Sequence, residues 1–159
     1  MATNKWKAAV ISGTSSAVLL AGLVGYFEGS RPVPYRDVTG RWTNCEGNTH
    51  NVDPLYVMST QECKVIDEGN MIADTDAVKQ YVTVPLTRGE KSAYGDFVHN
   101  LGSARFLHST ILEYLNKGYH KKACAQLLRW VYAGGRILPG LVARRNAEYA
   151  ECTALPFLE

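Results

Sequence analysis

Glu28, Asp37 and Thr43 are the residues of this chain whose types and spacing could perform acid–base chemistry together. Glu28 comes at the end of an apolar run, Asp37 lies nine residues later among turn-forming residues, and Thr43 follows six residues after that. Two carboxyl groups in different surroundings, one protonated and one ionised, are typical of glycosidic bond cleavage. Because any chain with 15 acidic residues contains such pairs, the spacing alone is a weak signal.

The setting of Glu28 favours the role of a general acid. We expect it at the carboxyl end of an apolar helix, with Gly29 turning the chain out of that helix. The unpaired carbonyl groups at a helix end carry partial negative charge, and the preceding turns are apolar. Both features disfavour an ionised carboxylate, which leaves a proton available for donation.

The elements that must position these side chains follow from turn and capping signals. Turn formers dominate residues 30–54 and predict short strands, with a hairpin turn at Thr39–Gly40. Capping boxes at Ser59–Glu62 and Thr87–Glu90 open two helices. The predicted helices end near Tyr81 and at Gly102, and three more cover 109–117, 121–131 (ended by Gly134–Gly135) and 139 towards 152. The sequence thus predicts an α+β fold, with a small β-hairpin lobe, a larger helical lobe and an N-terminal apolar helix.

The composition excludes several classes of protein. With 159 residues, 46% of them apolar and 10% aromatic, the chain can build one core and is neither disordered nor collagen-like. Seventeen basic against 15 acidic residues give a net charge of +2, so no nucleic-acid partner is expected. His50 has no second histidine or cysteine at ligand spacing, and we expect neither a metal nor a cofactor.

The four cysteines point to an oxidising compartment. Cys45, Cys63, Cys124 and Cys152 are an even number without a Cys-x-x-Cys pair, which favours disulfides over a zinc site. Three connectivities are possible, and we favour 45 with 63 and 124 with 152 because each closes a loop within one half of the domain. Four buried thiols in a reducing cytosol are the alternative.

The apolar segment from Ala8 to Phe27 is a marginal membrane span. Its 20 uncharged residues could cross roughly 30 Å as a helix, but 11 of them are Ala, Gly, Ser or Thr. Lys5 and Lys7 precede it, so the positive-inside rule keeps the amino terminus cytoplasmic and exports the rest of the chain. A cleaved signal peptide, a permanent anchor and an anchor weak enough to leave the bilayer all compete as interpretations.

The residues around the carboxyls resemble the phage-type lysozymes, glycoside hydrolase family 24, over about 18–151. The likeness is greatest to lambdoid endolysins with a signal-anchor-release segment, whose four cysteines fall at similar places. The chain departs from the family's Gly-x-Gly-His pattern after the threonine, which brings a third acid, Glu46, close to the site. The matching residues are Glu28–Gly29, Pro34–Asp37, Gly40–Thr49, Phe97, Asn100–Gly102, Phe106, Ser109–Thr110, Asn116–Gly118, Trp130, Gly134–Gly135, Gly140–Leu141, Arg144–Arg145 and Glu148.

This resemblance implies hydrolysis of the β-1,4 bond between N-acetylmuramic acid and N-acetylglucosamine in peptidoglycan. Glu28 would be the general acid, Asp37 the carboxylate that orients water or stabilises the transition state, and Thr43 the hydroxyl that holds that water. Asn100 would bind saccharide or cap its helix, and Trp42 would be either a sugar platform or a core residue.

Other residues near the motif have structural interpretations. Glu46 is expected to be a solvated loop carboxylate, with a catalytic contribution left open. Phe97 and Trp130 are expected in the core, and Arg144 with Glu148 is expected to form a surface ion pair.

A two-part organisation follows from the apolar segment. Residues 1–27 would be a signal-anchor-release segment and residues 28–159 the catalytic domain, inactive in the host inner membrane and active as a periplasmic monomer after release. A lytic transglycosylase, which uses a single acid, and a non-catalytic membrane-anchored or hole-forming wall-binding protein remain the alternatives.

Overall fold

The computed structural model describes residues 15–37 and 39–154, which form a small hairpin and a larger helical lobe. Residues 8–14 of the predicted membrane segment lie outside the described residues. The elements, in chain order, are α1 (Ser16–Glu28), β1 (Arg31–Arg36), β2 (Trp42–Cys45), α2 (Thr60–Tyr81), α3 (Arg88–Leu101), α4 (Ser103–Leu107), α5 (Thr110–Asn116), α6 (His120–Leu127), β3 (Tyr132–Ala133), β4 (Arg136–Ile137) and α7 (Pro139–Ala154).

The hairpin of β1 and β2 carries two of the three predicted catalytic residues. The strands pair antiparallel, with Tyr35 opposite Thr43 and Arg36 opposite Trp42, and the register shifts between Arg31 and Tyr35. Thr43 lies on the returning strand, as expected, and Asp37 lies directly after β1. The hairpin begins shortly after Glu28, at Arg31, so Glu28, Asp37 and Thr43 lie in one continuous segment of the chain.

Helix α3 is the centre of the helical lobe. It packs against α1, α2 and α7, and nine of its residues are buried. Gly89 and Gly95 permit this close packing, because a Cβ at Gly89 would collide with the Glu151 carbonyl of α7 and one at Gly95 would lie 3.0 Å from Leu20 of α1. The largest fully buried apolar side chains of the lobe are Tyr94, Phe97, Phe106, Leu19, Leu20, Leu23, Ile111, Leu115 and Leu127.

Helix α1 is part of this folded lobe. Ser15 caps it by accepting a hydrogen bond from the Val18 amide, and its buried residues are Leu19, Leu20, Leu23 and Val24. The opposite face is exposed and is made largely of small residues. Across residues 15–37 and 39–154, no helix has the length and apolar character that a membrane span requires.

The helix predictions are largely confirmed, with one correction. Both capping boxes are complete, and α2, α3 and α5 lie within about a residue of their predicted ends. The helix predicted over 121–131 ends earlier, at Leu127. Gly134 and Gly135, which were expected to end that helix, instead form the turn between β3 and β4, and both have a positive φ. The short helix α4 was not predicted.

Two disulfides confirm the favoured pairing. Cys45 is bonded to Cys63 and Cys124 to Cys152. The first joins the end of the hairpin to α2, and the second joins α6 to α7. Phe97 is buried and Trp130 packs edge-on against it at 5.1 Å between ring centroids, so their predicted place in the core is also confirmed.

Glu151 is an acid buried between α3 and α7. Only 1% of its surface is exposed, and it accepts a 2.6 Å hydrogen bond from the Ser92 hydroxyl. Burial raises the pKa of Glu151 from its ordinary value of 4.5 to about 7, although the Ser92 hydrogen bond opposes this. Because the folded state holds the proton more tightly than the unfolded state, this residue destabilises the fold progressively as the pH rises from 4.5 through 7.

We therefore expect Glu151→Gln to raise the free energy of unfolding by about 1–3 kcal/mol at pH 8 and to change it little at pH 4. Glutamine resembles the protonated acid and can still accept from Ser92. Urea denaturation at both pH values measures the difference. Glu113→Gln, at an exposed position, is the control, and an equal effect of Glu151→Gln at the two pH values would contradict the assignment.

Candidate active site

Glu28 is the last residue of α1, and its side chain is 22% exposed. Its Oε1 accepts a 2.7 Å hydrogen bond from Arg144 Nη1 of α7. The carboxyl predicted at the helix end therefore faces a guanidinium, which the sequence did not predict. The acid thus lies where the first and last described helices meet, 116 residues apart in the sequence.

Arg144 is held by a second, fully buried carboxylate. Its Nε and Nη2 donate to the two oxygens of Asp96 in α3, at 2.9 and 2.8 Å. Burial works against ionisation of Asp96, but the paired guanidinium outweighs it and lowers the pKa of Asp96. Asp96 accepts hydrogen bonds from two of the nitrogen donors of Arg144 and balances much of its positive charge. Glu28 therefore shares the guanidinium with Asp96.

The expectation of a surface ion pair between Arg144 and Glu148 is wrong. Arg144 is 5% exposed and Glu148 is fully buried, with 4.0 Å between Arg144 Nε and Glu148 Oε1. The closer partner of Glu148 is Arg145, at 2.9 Å. Burial, followed by the negative charge of Asp96, raises the pKa of Glu148 well above its ordinary value and favours its neutral form. The error arose because spacing alone does not show which face of α7 is buried.

Asn100 is connected to this buried group of charges. Its side-chain oxygen accepts a short hydrogen bond from Arg145 Nη2. The oxygen is therefore committed to the protein, and the amide nitrogen is the group that could bind a saccharide. Helix α3 ends with Gly102 rather than Asn100 at its C-cap position, so the capping interpretation of Asn100 is not supported.

Asp37 is held by its own hairpin. Its Oδ1 accepts hydrogen bonds from the Thr39 amide at 2.8 Å, the Thr39 hydroxyl at 2.7 Å and the Arg41 amide at 2.9 Å. The Thr39 hydroxyl, followed by the Arg41 amide, lowers the pKa of Asp37. Asp37 is therefore an ionised carboxylate that is held by residues of its own hairpin, whereas the hydrogen-bond donor to Glu28 lies on a helix distant in the sequence.

Thr43 and Trp42 lie on the strand that returns from Asp37. Thr43 is 3% exposed, and its hydroxyl donates to the Arg41 carbonyl at 3.2 Å, which leaves its oxygen able to accept a hydrogen bond. The Arg36 guanidinium lies 4.6 Å from the centre of the Trp42 ring. Trp42 also lines a concavity of about 470 Å³ together with Gly40, Arg41, Thr49, His50 and Val52.

A tight turn follows β2 and reaches the acid. Asn44 and Asn48 exchange two backbone hydrogen bonds, at 3.0 and 2.9 Å, around the residues between them; we call this segment the 44–48 turn. Gly47 has a φ of +86°, and a Cβ on it would lie 2.7 Å from Glu28 Oε2. Glycine at this position therefore satisfies both the backbone conformation and the approach of the carboxyl group.

The structure places the Glu28 carboxyl between Arg144 of α7 and Gly47 of the 44–48 turn. Asp37, Thr43 and Trp42 share the hairpin, and Asn100 joins through Arg145. Sequence reasoning missed the contacts of Arg144 with Glu28 and Asp96. No local signal marked Asp96, because the buried residues of α3 also include the polar Glu90 and Ser92.

Comparison with known proteins agrees with this architecture. The family described as phage lysozyme matches residues 25–148. The SAR-endolysin of Bacteriophage PS119 is 37% identical over 150 residues, covering 91% of this chain and 90% of that protein. The SAR-endolysin of Enterobacteria phage PA-2 is 36% identical over 155 residues, covering 94% of each. The active form of P1 phage endolysin Lyz superposes with a TM-score of 0.80 at 25% identity, covering 94% of this chain and 89% of that one.

The family match and the shared fold define a glycoside hydrolase of the muramidase class. The chain belongs to the phage lysozyme family, which confirms the resemblance found in the sequence and its lysozyme-like α+β fold. Peptidoglycan is the substrate class of this family.

Gly47→Ala tests the close approach of the 44–48 turn to Glu28. The added methyl would overlap Oε2 and displace the acid, and displacements near 1 Å can cost about 100-fold in rate. We expect a loss of at least about tenfold in hydrolysis of isolated cell walls.

Gly118→Ala is the matched control, because Gly118 has a φ of +76° and nothing within 4 Å of an added Cβ. Both variants should lose about 1–2 kcal/mol of stability from backbone strain, but only the first should lose activity. Equal activities of the two variants would show that the contact with Glu28 is unimportant.

Proposed function

We propose that this protein is an endolysin that hydrolyses the β-1,4 bond between N-acetylmuramic acid and N-acetylglucosamine for host lysis. The observation that carries the proposal is the position of Glu28, whose carboxyl lies between Arg144 of α7 and Gly47 of the 44–48 turn. Only a chain folded through α1, the hairpin and α7 holds the acid in this way. The family and the relatives named as SAR-endolysins support the same activity.

Glu28 is assigned the role of proton donor to the leaving oxygen of the glycosidic bond. The guanidinium of Arg144 orients the carboxyl in the free enzyme, and Asp96 limits the positive charge that Glu28 experiences.

Asp37 is assigned the ionised role, because three hydrogen-bond donors within the hairpin support its charge. It would orient the attacking water or stabilise the developing positive charge on the sugar. Thr43, through its hydroxyl oxygen, would hold the same water. Trp42 and the amide nitrogen of Asn100 are proposed to bind saccharide.

The apolar segment is proposed to serve two states of the protein. Residues 1–27 anchor the chain in the host inner membrane with the amino terminus in the cytoplasm, and residues 28–159 form the catalytic domain. In the released, monomeric periplasmic form, residues 16–28 fold as α1 onto the helical lobe. While that helix is in the bilayer, Glu28 cannot reach Arg144, so the anchored protein is inactive.

The chemical assignment is tested with Glu28→Gln and Asp37→Asn on isolated peptidoglycan. We expect each to reduce the release of new reducing ends by a factor of about 10² or more while the fold is retained. Glu68→Gln, at an exposed position of α2, is the control. Mass analysis of the products distinguishes the alternatives, because a transglycosylase makes anhydro sugars and a wall-binding protein makes no new ends.

The release model is tested at Gly22, which is exposed on α1 and has nothing within 4 Å of an added Cβ. Gly22→Leu should fit the folded enzyme yet favour the bilayer by about 2 kcal/mol, which shifts the release equilibrium about thirtyfold. We expect more protein in the membrane fraction and delayed lysis. Gly22→Gln is the matched control, and the same lysis time for both variants would argue against a membrane-held inactive form.

A further inference from the structure

The 44–48 turn is fixed through both backbone groups of Glu46. Its amide donates to Asp67 Oδ1 of α2 at 3.1 Å, and its carbonyl faces Nε2 of His99 in α3 at 3.2 Å. The disulfide from Cys45 adds a covalent link to α2. Since the next residue, Gly47, lies against the Glu28 carboxyl, whatever holds Glu46 also sets the wall on which the proposed acid rests.

Both ring nitrogens of His99 face hydrogen-bond acceptors. Nδ1 lies 2.8 Å from Asp74 Oδ2, and Nε2 lies against the Glu46 carbonyl. An ionised carboxylate and a carbonyl oxygen only accept, so both ring nitrogens must carry a proton for both hydrogen bonds to exist. The geometry therefore requires the charged imidazolium form of His99.

The electrostatic surroundings support this charge. Burial of the ring opposes it, but the hydrogen bond and charge of Asp74 outweigh burial and raise the pKa of His99. Burial is the main cause that raises the pKa values of Glu46 and Asp67. The positive charge of the imidazolium opposes this effect and stabilises the ionised forms of both residues. The charged groups facing the ring from the elements packed around it are Glu28 of α1, Glu46 of the turn, Asp67 and Asp74 of α2, and Arg144 of α7.

We propose that His99 is a positioning residue for the catalytic acid, and that its ring holds the 44–48 turn against Glu28 only while both ring nitrogens are protonated. The inference rests on the proposed role of Glu28. A neutral ring has one N–H, so it must abandon either Asp74 or the Glu46 carbonyl, and in either case a lone pair then faces an acceptor. Loss of the proton therefore loosens the turn and removes a positive charge from among four carboxyl groups.

The pH dependence of activity and stability should reflect this proton. Activity should fall on the alkaline side as His99 loses it, in addition to any effect of the two catalytic carboxyls. Stability should change in the same direction, because a group with a raised folded-state pKa stabilises fully below its unfolded value, near 6.5, and loses that contribution as the pH rises through the folded value.

The experiment compares kcat/KM on purified peptidoglycan from pH 5 to 9 for the full-length enzyme and three variants. His99→Gln can supply only one side-chain amide and cannot titrate, so we expect lower activity and loss of the alkaline descent that the wild type shows. Asp74→Asn keeps the size of the partner but removes its charge, and it should move the descent to lower pH. His108→Gln, at an exposed position, should behave as the wild type.

Nitrogen NMR of the His99 ring provides a readout that is independent of turnover. We expect both ring nitrogens to be protonated at pH 6 and to titrate at the midpoint of the activity descent. A wild-type alkaline limb retained in His99→Gln, an unmoved limb in Asp74→Asn, or a neutral ring at pH 6 would each overturn the inference. An inactive wild type, or an active Glu28→Gln, would instead remove the proposed function. Circular dichroism of each variant reports whether the fold is retained.

Discussion

The ion pair between Glu28 and Arg144 is the interaction on which the site depends, because it joins the first and last described helices. A carboxylate and a guanidinium at this depth lose much of their hydration, and the loss is compensated only when the remaining donors and acceptors are satisfied. Asp96 meets that condition by binding Arg144 through two parallel hydrogen bonds. The acid is therefore positioned by a chain of contacts through α7 and α3, and Glu28 reaches that chain only when α1 lies on the lobe.

In the proposed release model, helix α1 must meet two physical demands that conflict. Packing on the lobe requires a narrow apolar stripe, supplied by Leu19, Leu20, Leu23 and Val24. Residence in a bilayer would require apolar side chains all around the helix, whereas the outer face carries small residues such as Ala21 and Gly22. The small residues keep the transfer free energy to lipid low without affecting the buried stripe. The composition thus favours a helix that packs well on the protein and only weakly in lipid.

Patterns among neighbouring residues predicted the helices and strands of this fold, but they could not predict contacts between residues far apart in the sequence. The capping boxes allowed α2 and α3 to be located from the sequence, because a capping box involves residues only three positions apart. The hairpin turn was likewise located from neighbouring turn-forming residues. The end of α6 was misplaced because Gly134–Gly135 can end a helix or turn a hairpin. The contacts of Arg144 and His99 join residues tens of positions apart, so only the packed structure could assign their partners.

The two carboxyls proposed to be catalytic are positioned in different ways, and this difference explains which of them the proposed release model can control. Asp37 accepts its hydrogen bonds from Thr39 and Arg41, so its geometry and charge come with the hairpin itself. Glu28 depends on α7 through Arg144 and on the 44–48 turn through Gly47, and that turn depends on α2 and α3. A change that withdraws α1, or loosens the turn, would therefore displace the proposed proton donor and leave its ionised partner intact. In the proposed release model, control of activity requires no change in the hairpin, because the component missing from the anchored form is the Glu28 carboxyl.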